Sequence, residues 1–234
     1  MRFQLIAFDA DDTLWHEMRK YESTEELFVE MLSRYCDPKT VLEQLRSADV
    51  ENLRYYGFGV KGFVLSMIDA SVKLTDGQIT GAEIGRIIQW GKDMLDHPIE
   101  SFPHVETTLA NVARTHTVML ITKGDLFDQE TKIARSGLAK YFDHVEIVSS
   151  KDSATYAALL EKYGVSAENF LMIGNAIRSD ILPVVNIGGH AVHIPSVHDW
   201  DYENDKSADT SRFATLDHIG EIPAYIAKME ERVR

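Results

Sequence analysis

The chain has 234 residues, one cysteine, and 24 Lys plus Arg against 37 Asp plus Glu, for a formal net charge of −13. A lone Cys36 excludes an intramolecular disulfide and a metal cluster built on thiolates, and reads as a small buried hydrophobe. A surface this negative repels duplex nucleic acid, while the length suffices for a full core, in one domain or in one carrying an insertion.

From Phe3 to Phe8 a short apolar run suits a strand buried on both faces, and it ends in Asp9, Asp11 and Asp12. The run is too short for a signal-peptide core or a membrane span, so a cytoplasmic protein with no membrane partner is expected. Residues 16–98 then change to helical periodicity, with Leu27, Met31 and Leu32, and later Phe63, Val64, Met67 and Ile68. This stretch reads as a helical cap. His97-Pro98 and Phe102-Pro103 mark the return to the core, because a residue before proline is pushed out of helix.

Strand-like runs follow at Thr117 to Ile121, Val145 to Val148, Phe170 to Ile173 and His190 to Ile194. Helices are expected after Asp125, ending near Gly137, and after Asp152, ending at Gly164. The alternation implies an α/β fold: a Rossmann-like parallel sheet with helices on both faces, built from 1–15 and 99–234, with 16–98 inserted.

The strand ends carry the chemistry. The first ends in D-A-D-D-T, and three later ones run into Thr122-Lys123-Gly124-Asp125, Ser149-Ser150-Lys151-Asp152 and Gly174-Asn175-Ala176-Ile177-Arg178-Ser179-Asp180. Ligands of open parallel sheets bind beyond the carboxyl ends of the strands. Carboxylates as close as Asp9 and Asp11 repel unless a cation or shared proton relieves them, and a hard divalent metal suits oxygen ligands. Taken singly these residues have plain readings, Thr122 as a helix cap and Lys151 as a solvated lysine.

In order and spacing the four motifs resemble those of the haloacid dehalogenase (HAD) superfamily, in particular its phosphatases with a helical cap. The resemblance implies a magnesium-dependent hydrolase of small phosphate monoesters that works through an aspartyl phosphate. Asp9 would be the nucleophile and Asp11 the general acid and base, with Lys151 also catalytic. Thr122, Lys123 and Lys151 would hold the phosphoryl oxygens, and Mg2+ would lie on the Asp9 carboxylate, the Asp11 main-chain carbonyl and either Asn175 or Asp180. Asn175 stands where many relatives have aspartate, and Ala176 where serine is common. Asn175 also resembles the 2-haloacid dehalogenase branch, in which Asp9 would attack carbon without a metal. That branch lacks a carboxylate two residues after its nucleophile, so Asp11 favours the phosphatase. A low-turnover binding protein on the same fold is a third reading.

Gly57-Phe58-Gly59-Val60-Lys61-Gly62 matches G-x-G-x-x-G, but no buried strand precedes it, so it reads as a loop between helices rather than a dinucleotide site. Arg54, Tyr55, Tyr56 and Lys61 around it are candidates for substrate contact from a closing cap. The nine histidines show no zinc spacing, and Trp15 reads as a hinge, pocket or interdomain packing residue.

Overall fold

The computed structural model describes residues 3–198, 200, 202–205 and 207–231. The outer ends assigned above to the core, 1–2 and 232–234, fall outside that set. The strands are β1 (Leu5–Phe8), β2 (Thr117–Lys123), β3 (His144–Val148), β4 (Phe170–Gly174), β5 (His190–His193) and β6 (Ala214–Thr215). The α-helices are α1 (Met18–Leu32), α2 (Pro38–Tyr56), α3 (Val60–Leu74), α4 (Gly81–Asp96), α5 (Val105–Val112), α6 (Leu126–Ser136), α7 (Ser153–Tyr163), α8 (Leu182–Asn186) and α9 (Ile222–Glu231).

Two compact units result. One joins the described residues up to Met18, Ile99–Lys123 and those from Gln129 onward; the other joins Arg19–Pro98 to Gly124–Asp128. In the first, six strands lie in the order β3-β2-β1-β4-β5-β6, and every neighbouring pair is parallel. Alternate side chains leave a strand on opposite faces, which explains the unbroken apolar runs. Ile6, Phe8, Val118, Leu120, Leu171 and Ile173 enter one core with α5 and α9, while Leu5, Ala7, Met119, Ile121, Phe170 and Met172 enter another with α7 and α8. Strand order reverses about β1, since β2 and β3 lie on one side and β4 to β6 on the other. A crevice is expected beyond the carboxyl ends at such a point. Phe8 pairs with Ile173, so Asp9 leaves β1 where Gly174 closes β4.

The sequence reading started β1 two residues early, stopped β2 two residues short and missed β6. A two-residue strand has too little pattern to register. Asp152 caps α7 through Thr155 N, and Gly164 ends that helix with φ +65°.

The second unit holds α2, α3, α4 and the rest of α1 around Phe28, Leu32, Leu45, Phe63, Met67 and Ile87. Asp37 and Pro38 start α2, and Thr80 with Glu83 forms a capping box on α4. Gly57 closes α2 and Gly59 opens α3, so the glycine motif is an inter-helix loop. A Cβ on Gly91 would lie 2.3 Å from Val64 Cγ2, which is how closely α4 approaches α3. Gly91→Ala should therefore lower the melting temperature by a few degrees, because overpacking of about 1–3 kcal/mol exceeds the roughly 1 kcal/mol of helix propensity gained. Adding Val64→Ala should recover most of the loss in a thermal melt; an unchanged melting temperature in Gly91→Ala would contradict the close approach.

Candidate active site

Asp9 follows β1 directly, its N–H donating to Ile173 O at 2.9 Å. Its carboxylate is buried and accepts from Lys151 Nζ on one oxygen and from Thr13 Oγ1 at 3.0 Å on the other. Lys151 also donates to Asp180 Oδ1 at 2.7 Å, and the second Asp180 oxygen takes Ala176 N–H at 3.0 Å. Both Asp180 oxygens are thus held, and the residue is fully buried. Burial, then the neighbouring Asp180 charge, push the Asp9 carboxyl up to about 7 despite the lysine. Burial disfavours the Lys151 ammonium, but Asp180 and Asp9 outweigh it and raise that amine above its ordinary value.

Asn175 faces Asp9 through Thr13, whose hydroxyl lies 3.1 Å from Asn175 Oδ1 and accepts Asn175 N–H at 3.0 Å. His193 is buried beneath it and donates from Nε2 to Asn175 O at 3.0 Å. Gly174 permits this packing, because a Cβ there would fall 2.2 Å from Asp180 Oδ2.

Asp11 has a separate set of donors: Trp15 Nε1 at 2.7 Å, Gln129 Nε2 at 2.7 Å, and Lys132 Nζ at 2.8 Å from each oxygen. Burial raises this carboxyl, but Lys132, Gln129 and Trp15 together bring it below the usual carboxylate range. Lys132 is shared with Glu17 at 3.2 Å. Gln129 Oε1 is buried without a hydrogen-bond partner. Such an orphan costs about 1–3 kcal/mol, so the side chain is turned for its donors. Asp12, with φ +59°, accepts from Glu17 and Met18 N–H groups at 3.0 Å and so caps α1.

Each of these buried lysines therefore serves two carboxylates, Lys151 for Asp9 and Asp180, Lys132 for Asp11 and Glu17. With all three ionised, the Lys151 group keeps one negative charge in excess. That excess favours a bound cation, and the nearby donors are hard oxygens, namely the Asp9 carboxylate and the Asn175 amide. Among the described residues no three His, Cys, Asp or Glu side chains converge on a metal position. A cation here would draw on amide and main-chain oxygens, with waters and a substrate oxygen, as magnesium does.

Thr122 is buried near the end of β2, beside β1. Lys123 is placed elsewhere: its ammonium bonds to Glu203, and to Ser179 Oγ at 2.7 Å, while Ser179 donates to Glu203 at 2.5 Å. In the helical unit, Arg54 lies over the Tyr55 ring at 4.6 Å, Tyr55 and Tyr56 are exposed, and Lys61 pairs with Asp125 at 2.8 Å. Trp15 is fully buried. Sequence reasoning missed Glu17, Gln129, Lys132 and Glu203, which carry no motif.

A family model for haloacid dehalogenase-like hydrolases matches residues 3–188. The chain belongs to that family. A haloacid dehalogenase-like family hydrolase from Xanthomonas campestris is 37% identical, with TM-score 0.88, and the match covers 98% of this hydrolase and 93% of that chain. Two more distant structures share the fold. A predicted phosphoglycolate phosphatase from Haemophilus somnus is 17% identical (TM-score 0.65, 96% and 98% covered), and an L-2-haloacid dehalogenase from Xanthobacter autotrophicus is 15% identical (TM-score 0.66, 97% and 99% covered). No curated protein matches the sequence. Among the described residues no helix is long and apolar enough to cross a membrane.

Proposed function

We propose that this hydrolase cleaves small phosphate monoesters, with Asp9 as nucleophile and Asp11 as general acid and base. The observation that carries the reading is Asp11 itself, a half-buried carboxylate two residues past Asp9 with three side chains arranged to hold it. A departing halide needs no proton, whereas a departing alkoxide does, so a carboxyl at this place serves ester cleavage.

In the first step an Asp9 carboxylate oxygen bonds to phosphorus as the ester P–O bond breaks, and the leaving oxygen takes the Asp11 proton. In the second, water attacks phosphorus, its proton passes to Asp11, and the bond to Asp9 breaks to release phosphate. The Lys132 ion pair favours the ionised Asp11 required by the second step. Protonating the leaving group is then the harder proton transfer, and its demand grows with the basicity of that group. Lys151 fixes Asp9 and Asp180 holds Lys151; with Thr122 it is proposed to bind the phosphoryl oxygens. The Asp9 carboxylate, the Asp11 carbonyl and the Asn175 amide oxygen would hold magnesium, which supplies positive charge to the phosphoryl group when bound.

The test measures phosphate release from p-nitrophenyl phosphate and a panel of metabolite phosphates, with magnesium and with chelator, for native protein and Asp9→Asn. Magnesium-dependent turnover abolished in the variant is the expected result. Asn175 and the distant dehalogenase similarity favour one other outcome. Chloride release from 2-chloropropionate without magnesium, alongside no ester turnover, would replace the reading by dehalogenation.

A further inference from the structure

We propose that Lys132, assisted by Gln129 one turn earlier on α6, is the positioning residue that aims the Asp11 carboxylate at the reacting ester; this rests on the acid and base role proposed for Asp11. Residues three apart on a helix share a face, and here both present donors to one carboxylate. Lys132 lies 2.8 Å from each Asp11 oxygen, and with Trp15 donating to one oxygen and Gln129 to the other the three donors set the plane of the carboxylate as well as its place. Gln129 joins one of those oxygens to the Lys123 carbonyl at 3.0 Å, so the carboxylate is tied to the end of β2. The Trp15 indole closes the third side. Only 3% of the Lys132 surface is exposed, so this cation is spent inside the protein rather than offered to solvent.

A lysine that only balanced buried charge would affect every substrate alike. A lysine that aims Asp11 should matter most where the leaving group needs a proton, because general acid catalysis contributes roughly 10²–10⁴-fold. The experiment compares p-nitrophenyl phosphate, whose leaving group is stable as an anion, with glycerol phosphate, whose leaving group is not. In Lys132→Met, kcat for glycerol phosphate should fall about 100-fold with little change in KM, while p-nitrophenyl phosphate loses about tenfold or less. Gln129→Leu should show the same pattern more weakly, and Lys132→Arg, whose guanidinium can also span both oxygens, should recover part of the loss.

The cycle with Asp11→Asn separates action through Asp11 from any other role. If Lys132 acts through Asp11, Lys132→Met lowers kcat no further in the Asp11→Asn background, whereas an effect transmitted by Glu17, which also loses the lysine, would persist there. Equal losses on both esters, or the same loss with and without the Asp11 carboxylate, would overturn the proposal while leaving the phosphatase reading intact. Absence of ester turnover in the native protein would instead overturn that reading, and this proposal with it.

Discussion

Lys151→Met is expected to abolish turnover and to unfold the protein at markedly lower temperature, most severely at alkaline pH. One ammonium now stands between Asp9 and Asp180, and removing it leaves two buried carboxylates facing each other. Breaking a buried pair in this way costs about 3–5 kcal/mol, a fall in melting temperature on the order of 10 °C for a chain of this size. The pH dependence has a definite sign. The Asp9 carboxyl stands at about 7 with its lysine in place, and losing the lysine can only push it higher. A carboxyl raised above its unfolded value binds its proton more tightly in the folded state. The destabilisation is therefore full above the folded value, and it is relieved as the pH falls through that value toward the unfolded one near 3.8. Melting curves of native and variant protein should diverge at pH 8 and draw together at pH 5. An equal gap at both would mean that Lys151 acts by packing and not by charge.

The parts of this hydrolase that follow a local rule were legible in its sequence. Strands buried on both faces appear as apolar runs, and the residues that leave them at the carboxyl ends are polar. Asp9, Lys151, Asn175 and Asp180 could thus be assigned to one sheet edge before any contact was known. The network around Asp11 obeys no such rule. On α6, Asp128, Gln129 and Lys132 are all buried, yet polar residues at these spacings read as a solvated helix face. Glu203 lies in a polar stretch after β5 that looks like surface loop, and only the tertiary structure brings it to Lys123 and Ser179. Lys123 adjoins Thr122 and so read as a phosphate ligand, but adjacent strand residues point to opposite faces, and the structure pairs its ammonium with Glu203. Sequence pattern marks which residues leave a strand end; the tertiary structure decides that Lys151 and not Lys123 faces Asp9.

Gly174→Ala, one methyl group, is expected to cost about 100-fold or more in kcat, because misplacing catalytic groups by about 1 Å has that effect. The added Cβ would stand 2.2 Å from Asp180 Oδ2, 2.4 Å from Cγ and 2.6 Å from Cβ. Rotating the carboxylate cannot relieve contact with Asp180 Cβ, so the backbone of the turn must shift. That turn, Ile177–Ile181, carries Asp180 and lies directly after Asn175 and Ala176. Its movement would draw Asp180 from Lys151 and Ala176, and Lys151 would then settle on Asp9 alone. Asp9 would gain a full counter-charge, which would weaken it in the nucleophilic role proposed for it, while Asn175 would leave its place against Thr13. Gly85→Ala provides the control, since its Cβ would meet nothing within 4 Å inside α4. That substitution should leave turnover unchanged and raise stability by about 1 kcal/mol through helix propensity. If Gly174→Ala retains native kcat, the close fit between the end of β4 and Asp180 is not what sets the geometry around Asp9.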